Sequence, residues 1–387
     1  MSFNPSEIDL TILKERAFNL RWAEVPQDVI PLTAADPDFK CAPEIIHSLN
    51  SYIGDRYFSY APSEGLSEFK MAMANYLKFK RNVDIDPTNI LPVDSAAFGI
   101  YVTCKSILNT GDEAIIFDPV DFLFQYSIEN NGGKAVRFSI PPATNHVDFK
   151  ELEKIITNKT KLICLCNPLN PTGKVFSKEE LQELGEIAVR HNIVILSDEI
   201  WSDIVFSPYE FTSICSLSPE IANHVVYVNG FSKSYGLAGL RIGVVATQNS
   251  DLFANIVNAS LHHSTIHGAN VLGQIAATAA LNLAQDWLQG FLIHLEKMRN
   301  LLTDRINQMK GLHTIAPQGC YVSLINIKET GLSSMEFHEK MLKEAKVSMV
   351  PGLSKWFGPG ADGYVRISFA TSEEVLSEAL DRIENNL

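Results

Sequence analysis

The sequence predicts an α/β fold, with a mostly parallel central sheet in a large domain and a smaller α+β domain after it. Two observations support this prediction. Through the middle of the chain, short apolar runs of strand length alternate with amphipathic helical segments, which is the pattern of a parallel sheet covered by helices. The C-terminal part mixes helices with strand-like runs in a different rhythm, which indicates a second sheet of its own.

The strand-like runs in the middle of the chain are continuous and rich in β-branched residues, as in parallel strands buried on both faces. They span residues 90–93, 161–166, 193–196, 225–228 and 242–246. The segment between the second and third runs, residues 177–191, repeats its apolar side chains at helical spacing. It begins with Ser177 and Glu180, the spacing of a capping box, so a helix is expected there.

In the C-terminal part, the sequence pattern predicts helices over residues 288–309 and 334–346, and strands over residues 321–327 and 364–369. A last helix is expected to begin at a second capping box, formed by Thr371 and Glu374.

The first part of the chain contains five prolines between residues 5 and 43, which favours an extended arm over a domain. We therefore expect a large domain over residues 46–280. Residues 1–45 and 281–387 are expected to form the N-terminal arm and the small domain, which makes the small domain discontinuous.

The composition excludes several classes of protein. The 387 residues carry 32 Lys and Arg against 45 Asp and Glu, a formal net charge of −13, which disfavours binding to nucleic acid. Six cysteines are spread without metal-ligand spacing, as expected of reduced thiols in a cytoplasmic protein. The N-terminus lacks the pattern of a signal peptide. Residues 252–285 are uncharged, but polar side chains interrupt them, so no membrane span is expected.

Three polar segments each follow directly after a strand-like run. They are residues 167–173 (NPLNPTG), 197–201 (SDEIW) and 230–241 (GFSKSYGLAGLR). Because ligands of open α/β sheets bind beyond the carboxyl ends of the strands, we expect the three segments to line one crevice. Each motif is weak alone, since Pro and Gly are common in loops and most lysines lie at the surface.

Together, their order and spacing resemble the class I/II aminotransferase family, and the resemblance runs over nearly the whole chain. It implies the fold type I of enzymes that use pyridoxal 5′-phosphate (PLP). By resemblance, Lys233 forms a Schiff base with PLP, and Asp198 keeps the pyridine nitrogen protonated. Asn170 matches the donor to the ring oxygen, and Arg241 matches a phosphate ligand.

The phosphate site is also expected to include a helix N-terminus after residues 90–93. The family usually has glycine in this turn, but here the small residues Ser95, Ala96 and Ala97 would let the backbone amides approach a phosphate. Three residues before the lysine, where many relatives have a phosphate-binding serine, this sequence has Gly230. Ser232 is the expected substitute.

Two further segments agree with the resemblance. Tyr60, in the segment YAPSEG, is similar to a tyrosine that reaches the cofactor phosphate of the neighbouring subunit, which implies a homodimer. Arg366, in YVRISFA, resembles the arginine that pairs with the substrate's α-carboxylate. Ala35 and Asn170 complete the expected substrate contacts. The implied substrates are an L-amino acid and a 2-oxo acid, with no metal, no nucleic acid and no membrane partner.

Two positions depart from the family pattern. The aromatic residue that stacks on the PLP ring would fall at Asp121, so the stacking role is left open between Asp121 and Phe122. Trp201 stands where most aminotransferases have a tyrosine, and an indole could act on the ring oxygen only as an N–H donor.

The second departure raises an alternative reaction. The segments of residues 20–22 (LRW) and 34–39 (AADPDF) are similar to those of cystathionine β-lyase-like C–S lyases, whereas residues 230–244 favour an aminotransferase. We therefore expect a PLP-dependent aminotransferase, with β-elimination from cystathionine or cysteine as the alternative. Regulators of this fold generally carry an additional DNA-binding domain, which the acidic charge disfavours.

Four residues have no assigned role. Arg21 could pair with a distal acid group of the substrate. His262, His263 and His267 are more typical of packed, hydrogen-bonded histidines than of ligands, and no carboxylate accompanies the helical spacing of His263 and His267.

Overall fold

The computed structural model describes residues 3–387. In this part of the chain the α-helices are α1 Leu10–Glu15, α2 Leu20–Ala23, α3 Pro43–Asp55, α4 Ser67–Arg81, α5 Ala96–Ile107, α6 Phe122–Glu129, α7 Phe149–Lys154, α8 Lys178–His191, α9 Pro219–Ala222, α10 Ser250–Ser260, α11 Val271–Leu283, α12 Gln285–Gln308, α13 Ser334–Lys340, α14 Ser354–Phe357 and α15 Glu373–Glu384. The strands are β1 Ile30–Pro31, β2 Ile90–Val93, β3 Glu113–Asp118, β4 Lys134–Ser139, β5 Thr160–Cys166, β6 Val194–Asp198, β7 Val225–Gly230, β8 Gly243–Ala246, β9 His313–Thr314, β10 Val322–Asn326, β11 Val347–Ser348, β12 Val350–Pro351 and β13 Tyr364–Ser368.

The seven strands from β2 to β8 form one sheet, in the order β2-β8-β7-β6-β5-β3-β4. The pairs β3/β4, β3/β5, β5/β6 and β6/β7 are parallel. Strands β2, β5, β7 and β8 are almost wholly buried, because helices cover both faces of the sheet. The predicted α/β class with a mostly parallel central sheet is confirmed.

Strand β8 is the exception to the parallel order, because it pairs antiparallel with both β2 and β7. Its apolar run suggested a parallel strand, and that expectation is wrong. The connection from β7 to β8 contains a short 3-10 turn, Ala238–Leu240, instead of a crossover helix, so the chain returns beside the strand it has just left. Burial on both faces gives such a strand the same apolar composition as a parallel one.

The C-terminal part forms its own antiparallel sheet, in the order β12-β13-β10-β9. The two-stranded sheet of β1 and β11 is parallel and joins the N-terminal arm to this region. The arm contains the short helices α1 and α2, so it is less extended than its prolines suggested. The domain boundaries near residues 45 and 280 stay a prediction.

The helix starts follow local capping rules. Ser177 and Glu180 form the predicted capping box of α8, and Ser333 and Glu336 form another at α13. The predicted box at Thr371 is wrong, because Ser372 caps α15. Thr371 is fully buried, and its carbonyl accepts a hydrogen bond from Nε2 of His294 at 2.8 Å, which holds it before the helix.

Strands β2, β3, β5, β6 and β7 run in one direction, so their carboxyl ends meet at one edge of the sheet. The loops that follow them carry the three segments singled out in the sequence. This topology places the predicted site. No helix in the described part of the chain is long and apolar enough to cross a membrane.

Candidate active site

A cavity of about 330 Å³, which we call the inner cavity, opens at this edge of the sheet. Most of the predicted site residues line it. They are Ala35, Ser95, Ala96, Ala97, Asn170, Asp198, Trp201, Ser232, Lys233, Arg241 and Arg366. Phe122 and Tyr60 do not, and each lines a different cavity. The strand-end segments therefore converge as the sequence suggested.

Lys233 lies in the loop after β7, and its amine points across the inner cavity. Nζ donates a hydrogen bond of 2.6 Å to the carbonyl of Ala35 and lies 5.3 Å from the centre of the Trp201 ring. Burial lowers the pKa of Lys233, because the charged ammonium is poorly solvated there. An amine with a lowered pKa is more often neutral and nucleophilic at neutral pH.

Asp198 ends β6 and is buried at the floor of the inner cavity. Burial, with a further contribution from the charge of Asp121, raises its pKa to about 7. Its Oδ1 accepts a hydrogen bond of 3.2 Å from the amide of Ile200. A buried carboxyl of this kind is suited to receive a cation from the cavity, which would restore its charged form.

Arg366 and Asn170 lie 196 positions apart in the sequence and meet in the inner cavity. Nη1 of Arg366 donates to Oδ1 of Asn170 at 3.1 Å, and Nη2 donates to the carbonyl of Thr33 at 3.0 Å. The guanidinium lies over the ring of Phe357, with 5.1 Å between the guanidinium carbon and the ring centre. Nε of Arg366 is buried without a partner.

Asp121 completes this group, and the sequence had left its role open. It caps α6 by accepting a hydrogen bond of 3.2 Å from Leu123, and its Oδ2 accepts one of 3.0 Å from Nδ2 of Asn170. Burial raises its pKa, and the charge of Arg366 partly offsets that effect. Asp121, Asn170 and Arg366 therefore form one chain of hydrogen bonds.

Phe122 faces a second cavity, the outer cavity, which has a volume of about 490 Å³. The outer cavity shares Ala34, Asp121 and Arg366 with the inner one, so the two adjoin. Phe122 is 37% exposed and meets Trp356 edge to face, with 5.4 Å between the ring centres. Asp121 thus lines both cavities, whereas Phe122 lines the outer cavity and does not reach the inner one.

The N-terminus of α5 lies beside the start of β8. Oγ of Ser95 accepts a hydrogen bond of 3.1 Å from the amide of Phe98, while the first amides of a helix have no partner within it. Gly243 permits this close packing, because a Cβ atom there would lie 2.5 Å from the amide nitrogen of Ala96. Such a helix end attracts an anion.

Arg241 and Ser232 also line the inner cavity near this helix end. Arg241 is exposed and has a left-handed backbone, with φ at 50°, and its Nη1 donates a long hydrogen bond of 3.5 Å to the carbonyl of Ala238. The guanidinium is thus only weakly held and can turn towards an anion.

Tyr321 was not recognised from the sequence as a site residue. Its hydroxyl donates to the carbonyl of Ala35 at 3.1 Å, and its ring meets Trp201 edge to face with centres 4.7 Å apart. It packs beneath the contact between Ala35 and Lys233. The sequence carried no signal for this role, because Tyr321 lies next to an ordinary buried strand.

The four unassigned residues lie outside the inner cavity. Arg21 is buried and pairs with Asp38. His262 is fully buried between Ser260 and the carbonyl of Pro92, and burial lowers its pKa.

His263 lies 2.7 Å from a carboxylate oxygen of Glu64, and His267 packs against Tyr60, with 5.0 Å between the ring centres. Among the described residues there is no group of three side chains that could hold a metal ion.

Tyr60 projects from the surface, with 91% of its area exposed. It lines a cavity of about 590 Å³ together with Tyr52, Val271 and Leu283. This cavity is separate from the inner one, so within its own chain Tyr60 makes no contact with the predicted cofactor site.

Glu199 follows Asp198 but points away from the inner cavity. Its Oε1 accepts hydrogen bonds from Ser197 at 3.0 Å and from Ser213 at 2.7 Å, whereas Oε2 is buried without a partner. Burial raises its pKa to about 7 from an ordinary value of 4.5. Between these two pH values the unfolded chain loses the proton while the folded protein keeps it, so stability falls as pH rises.

We expect Glu199→Gln to remove this pH dependence. A neutral side chain avoids the cost of ionising a buried carboxyl, about 3 kcal/mol at pH 8, and has no such advantage at pH 4.5. Denaturant unfolding of the protein without added ligand at both pH values measures the difference. Equal stabilisation at pH 4.5 and pH 8 would contradict the assigned titration.

A cavity that binds PLP has to match three parts of the cofactor: its aldehyde carbon, its ring nitrogen and its phosphate. Lys233 supplies an amine of lowered pKa, and Asp198 supplies a buried carboxyl for the ring nitrogen. The end of α5 supplies amides for the phosphate. These residues fit the cofactor.

Comparison with known proteins agrees with this geometry. The family model "Aminotransferase class I and II" matches residues 27–383. The chain is 34% identical to an aspartate aminotransferase of Pyrococcus abyssi over 99% of its length and 96% of the relative. It is also 34% identical to aromatic-amino-acid aminotransferase 2 of Thermococcus litoralis, with the same coverage.

A solved structure shows the same fold. The PLP-bound putative aminotransferase of Clostridium difficile 630 superposes with a TM-score of 0.91 at 28% identity, covering 99% of each chain. The chain thus belongs to the class I and II aminotransferase family and is a PLP-dependent aminotransferase.

Proposed function

We propose that Lys233, Asp198, Asn170 and Arg366 carry the transfer of an amino group between an L-amino acid and a 2-oxo acid in the inner cavity. The observation behind this proposal is their convergence: an amine, a carboxyl, an amide and a guanidinium from four separate loops and strands line one cavity. PLP, when bound, supplies a ring that accepts the electrons left at the substrate's α-carbon.

Lys233 is proposed to hold the cofactor and to move the proton of the α-carbon. Its lowered pKa allows a neutral amine that can accept a proton. The carbonyl of Ala35 and the ring of Trp201 hold Nζ in place, and Tyr321 fixes Ala35 from below. The amine therefore occupies a defined position before substrate arrives.

Asp198 is proposed to hold the proton on the ring nitrogen. The carboxylate gains a cationic partner when the nitrogen is protonated, which offsets the cost of its burial. This pairing keeps the ring able to accept electrons.

Arg366 is proposed to bind the α-carboxylate of the substrate. Its guanidinium is only 7% exposed and stacked on Phe357, so its plane is fixed before binding. Asn170 orients it through Nη1. A carboxylate can replace the carbonyl of Thr33 as the partner of Nη2.

The phosphate is proposed to bind at the N-terminus of α5, where Ser95, Ala96 and Ala97 present small side chains and backbone amides. Ser232 and Arg241 would add a hydroxyl and a positive charge from the loop after β7.

We also propose a homodimer in which Tyr60 reaches the phosphate of the partner subunit. Tyr60 makes no contact with its own inner cavity, and Tyr57 and Phe58 beside it are 78% and 67% exposed. Large exposed aromatic side chains grouped around an apolar cavity are typical of an interface.

Mixed dimers test this arrangement. We expect Tyr60→Ala and Lys233→Ala enzymes each to be nearly inactive, and subunit exchange between them to restore up to about a quarter of wild-type activity. Half of a random mixture is heterodimer, in which one site has both native side chains. If Tyr60 acted within its own chain, mixing would restore nothing.

We propose a cytoplasmic location as well. It is supported by the cysteines, of which five are buried and all are free in the described part of the chain. We further propose residues 46–280 as the large domain and the remainder as arm and small domain, since β9, β10, β12 and β13 form a separate sheet.

The reaction is tested by adding each amino acid alone to the PLP-loaded enzyme and following the absorption spectrum of the cofactor. We expect the amino acid alone to convert one equivalent of the bound cofactor, and repeated turnover to occur only when a 2-oxo acid is added. Release of pyruvate and thiol from cystathionine without an oxo acid would instead show the lyase reaction. Relatives are named for both aspartate and aromatic amino acids, which leaves the side chain of the substrate to be assigned.

A further inference from the structure

We infer that the outer cavity selects a bulky neutral side chain, of aromatic size, and rejects substrates with a second carboxylate. This inference rests on the proposed function, because it takes Arg366 as the site of the α-carboxylate. Arg366 and Asp121 lie between the two cavities. A substrate held at Arg366 with its α-carbon in the inner cavity would extend its side chain into the outer one.

The walls of the outer cavity are largely apolar. They include Leu20, Val25, Phe122, Val350, Trp356 and Phe357. Phe122 and Trp356 are each 37% exposed and meet edge to face, so both rings keep free surface towards the cavity. Aromatic rings favour edge-to-face and offset contacts, and a third ring can join such a pair.

Two carboxyl groups also stand in the wall. Asp121 lies at the junction with the inner cavity, and Glu24 lies directly after α2. A substrate such as aspartate or glutamate would bring a second negative charge towards both. Arg366, the nearest cation, would already hold the α-carboxylate. Like charges that meet in a partly buried site are disfavoured strongly.

Arg21 is the one other cation in this wall, and it is not available to a ligand. Its Nη2 already pairs with Asp38, and its Nε and Nη1, although without a partner, are buried with the rest of a side chain that is 0% exposed. Asp36, a second carboxyl, is close enough for the charge of Arg21 to affect its pKa. The charge of Arg21 is therefore offset within the protein, and a distal carboxylate would find no free cation there.

The half-reaction of the PLP-loaded, full-length enzyme tests the inference without an acceptor. The second-order rate constants for L-phenylalanine, L-leucine and L-aspartate are measured from the spectral change of the cofactor. We expect phenylalanine to react at least about tenfold faster than aspartate, equivalent to about 1.4 kcal/mol. Aspartate reacting as fast as phenylalanine would overturn the inference and leave the proposed function standing. If no amino acid converts the cofactor, the proposed function itself fails.

Three substitutions locate the source of the selectivity. Asp121→Asn keeps the cap of α6, since asparagine also accepts the hydrogen bond from the amide of Leu123. It should lower the ratio of the rate constant for phenylalanine to that for aspartate about tenfold. Trp356→Ala should slow phenylalanine about tenfold and alanine less than twofold. The control Glu129→Gln removes an exposed charge from the same helix outside the outer cavity and should leave the ratio within twofold. An Asp121→Asn ratio equal to that of wild type would refute the role of Asp121.

Discussion

Replacing Lys233 with alanine should lower the rate of transamination by at least about four orders of magnitude. The side chain is the amine in the inner cavity held by Ala35 and Trp201, so its removal takes away both the proposed covalent link to PLP and the group proposed to move the α-proton. The variant should still bind PLP, because Asp198 and the end of α5 remain. Single-turnover kinetics and borohydride reduction of the loaded enzyme measure the two losses separately.

Two controls accompany this experiment. Lys310→Ala removes an exposed lysine and should leave activity unchanged. Lys233→Arg retains a positive charge at the site but has no amine that can form the link, and we expect it to be as inactive as the alanine variant. A borohydride-reducible adduct in Lys233→Ala would show that another lysine holds the cofactor.

Replacing Asp198 with asparagine should weaken PLP binding and lower the rate constant of the half-reaction by about two to four orders of magnitude. Asparagine has the same shape and can accept the bond from Ile200, but it cannot pair as an anion with a protonated ring nitrogen. Breaking one side of a buried ion pair costs about 3 to 5 kcal/mol, which corresponds to this range. Equilibrium dialysis and rapid-mixing absorbance measure the two quantities.

Glu199→Gln is the matched control for this experiment. Glu199 is the neighbouring carboxyl, it is equally buried and its pKa is also about 7, but it does not line the inner cavity. We expect its PLP affinity and half-reaction rate to stay within about threefold of wild type. If both substitutions weakened PLP binding equally, a general effect of buried charge would explain the result, and the assigned role of Asp198 would be wrong.

The sequence predicted those site residues whose positions depend on a strand and the loop that directly follows it. Three loop segments directly follow apolar runs of strand length: residues 167–173, 197–201 and 230–241. Because the strands are parallel, this alone is enough to predict that Asn170, Asp198 and Lys233 lie at one edge of the sheet. The capping box of α8 is similarly local.

Features that depend on packing between distant segments were not predictable. Strand β8 runs antiparallel because no crossover helix precedes it. Its composition does not show this direction, because a strand buried on both faces is apolar whether it is parallel or antiparallel. Tyr321 meets Ala35, 286 positions away, only after the arm has folded against the rest of the chain. Asp121 reaches the inner cavity from the N-cap position of α6, and Phe122 begins the helix.

The hydrogen bond from Arg366 to the carbonyl of Thr33 joins residues 333 positions apart. Strand pairing within the central sheet needs only residues up to Ala246, so a growing chain can form that sheet, with Asp198 in β6 and Lys233 in the loop after β7, long before Arg366 is synthesised. Contacts of such long range are the last to form and the slowest. If Lys233 and Asp198 hold PLP and Arg366 binds the substrate, as proposed, the order of synthesis allows cofactor binding before substrate recognition, and we expect an incomplete chain that ends before β13 to retain PLP without acting on an amino acid.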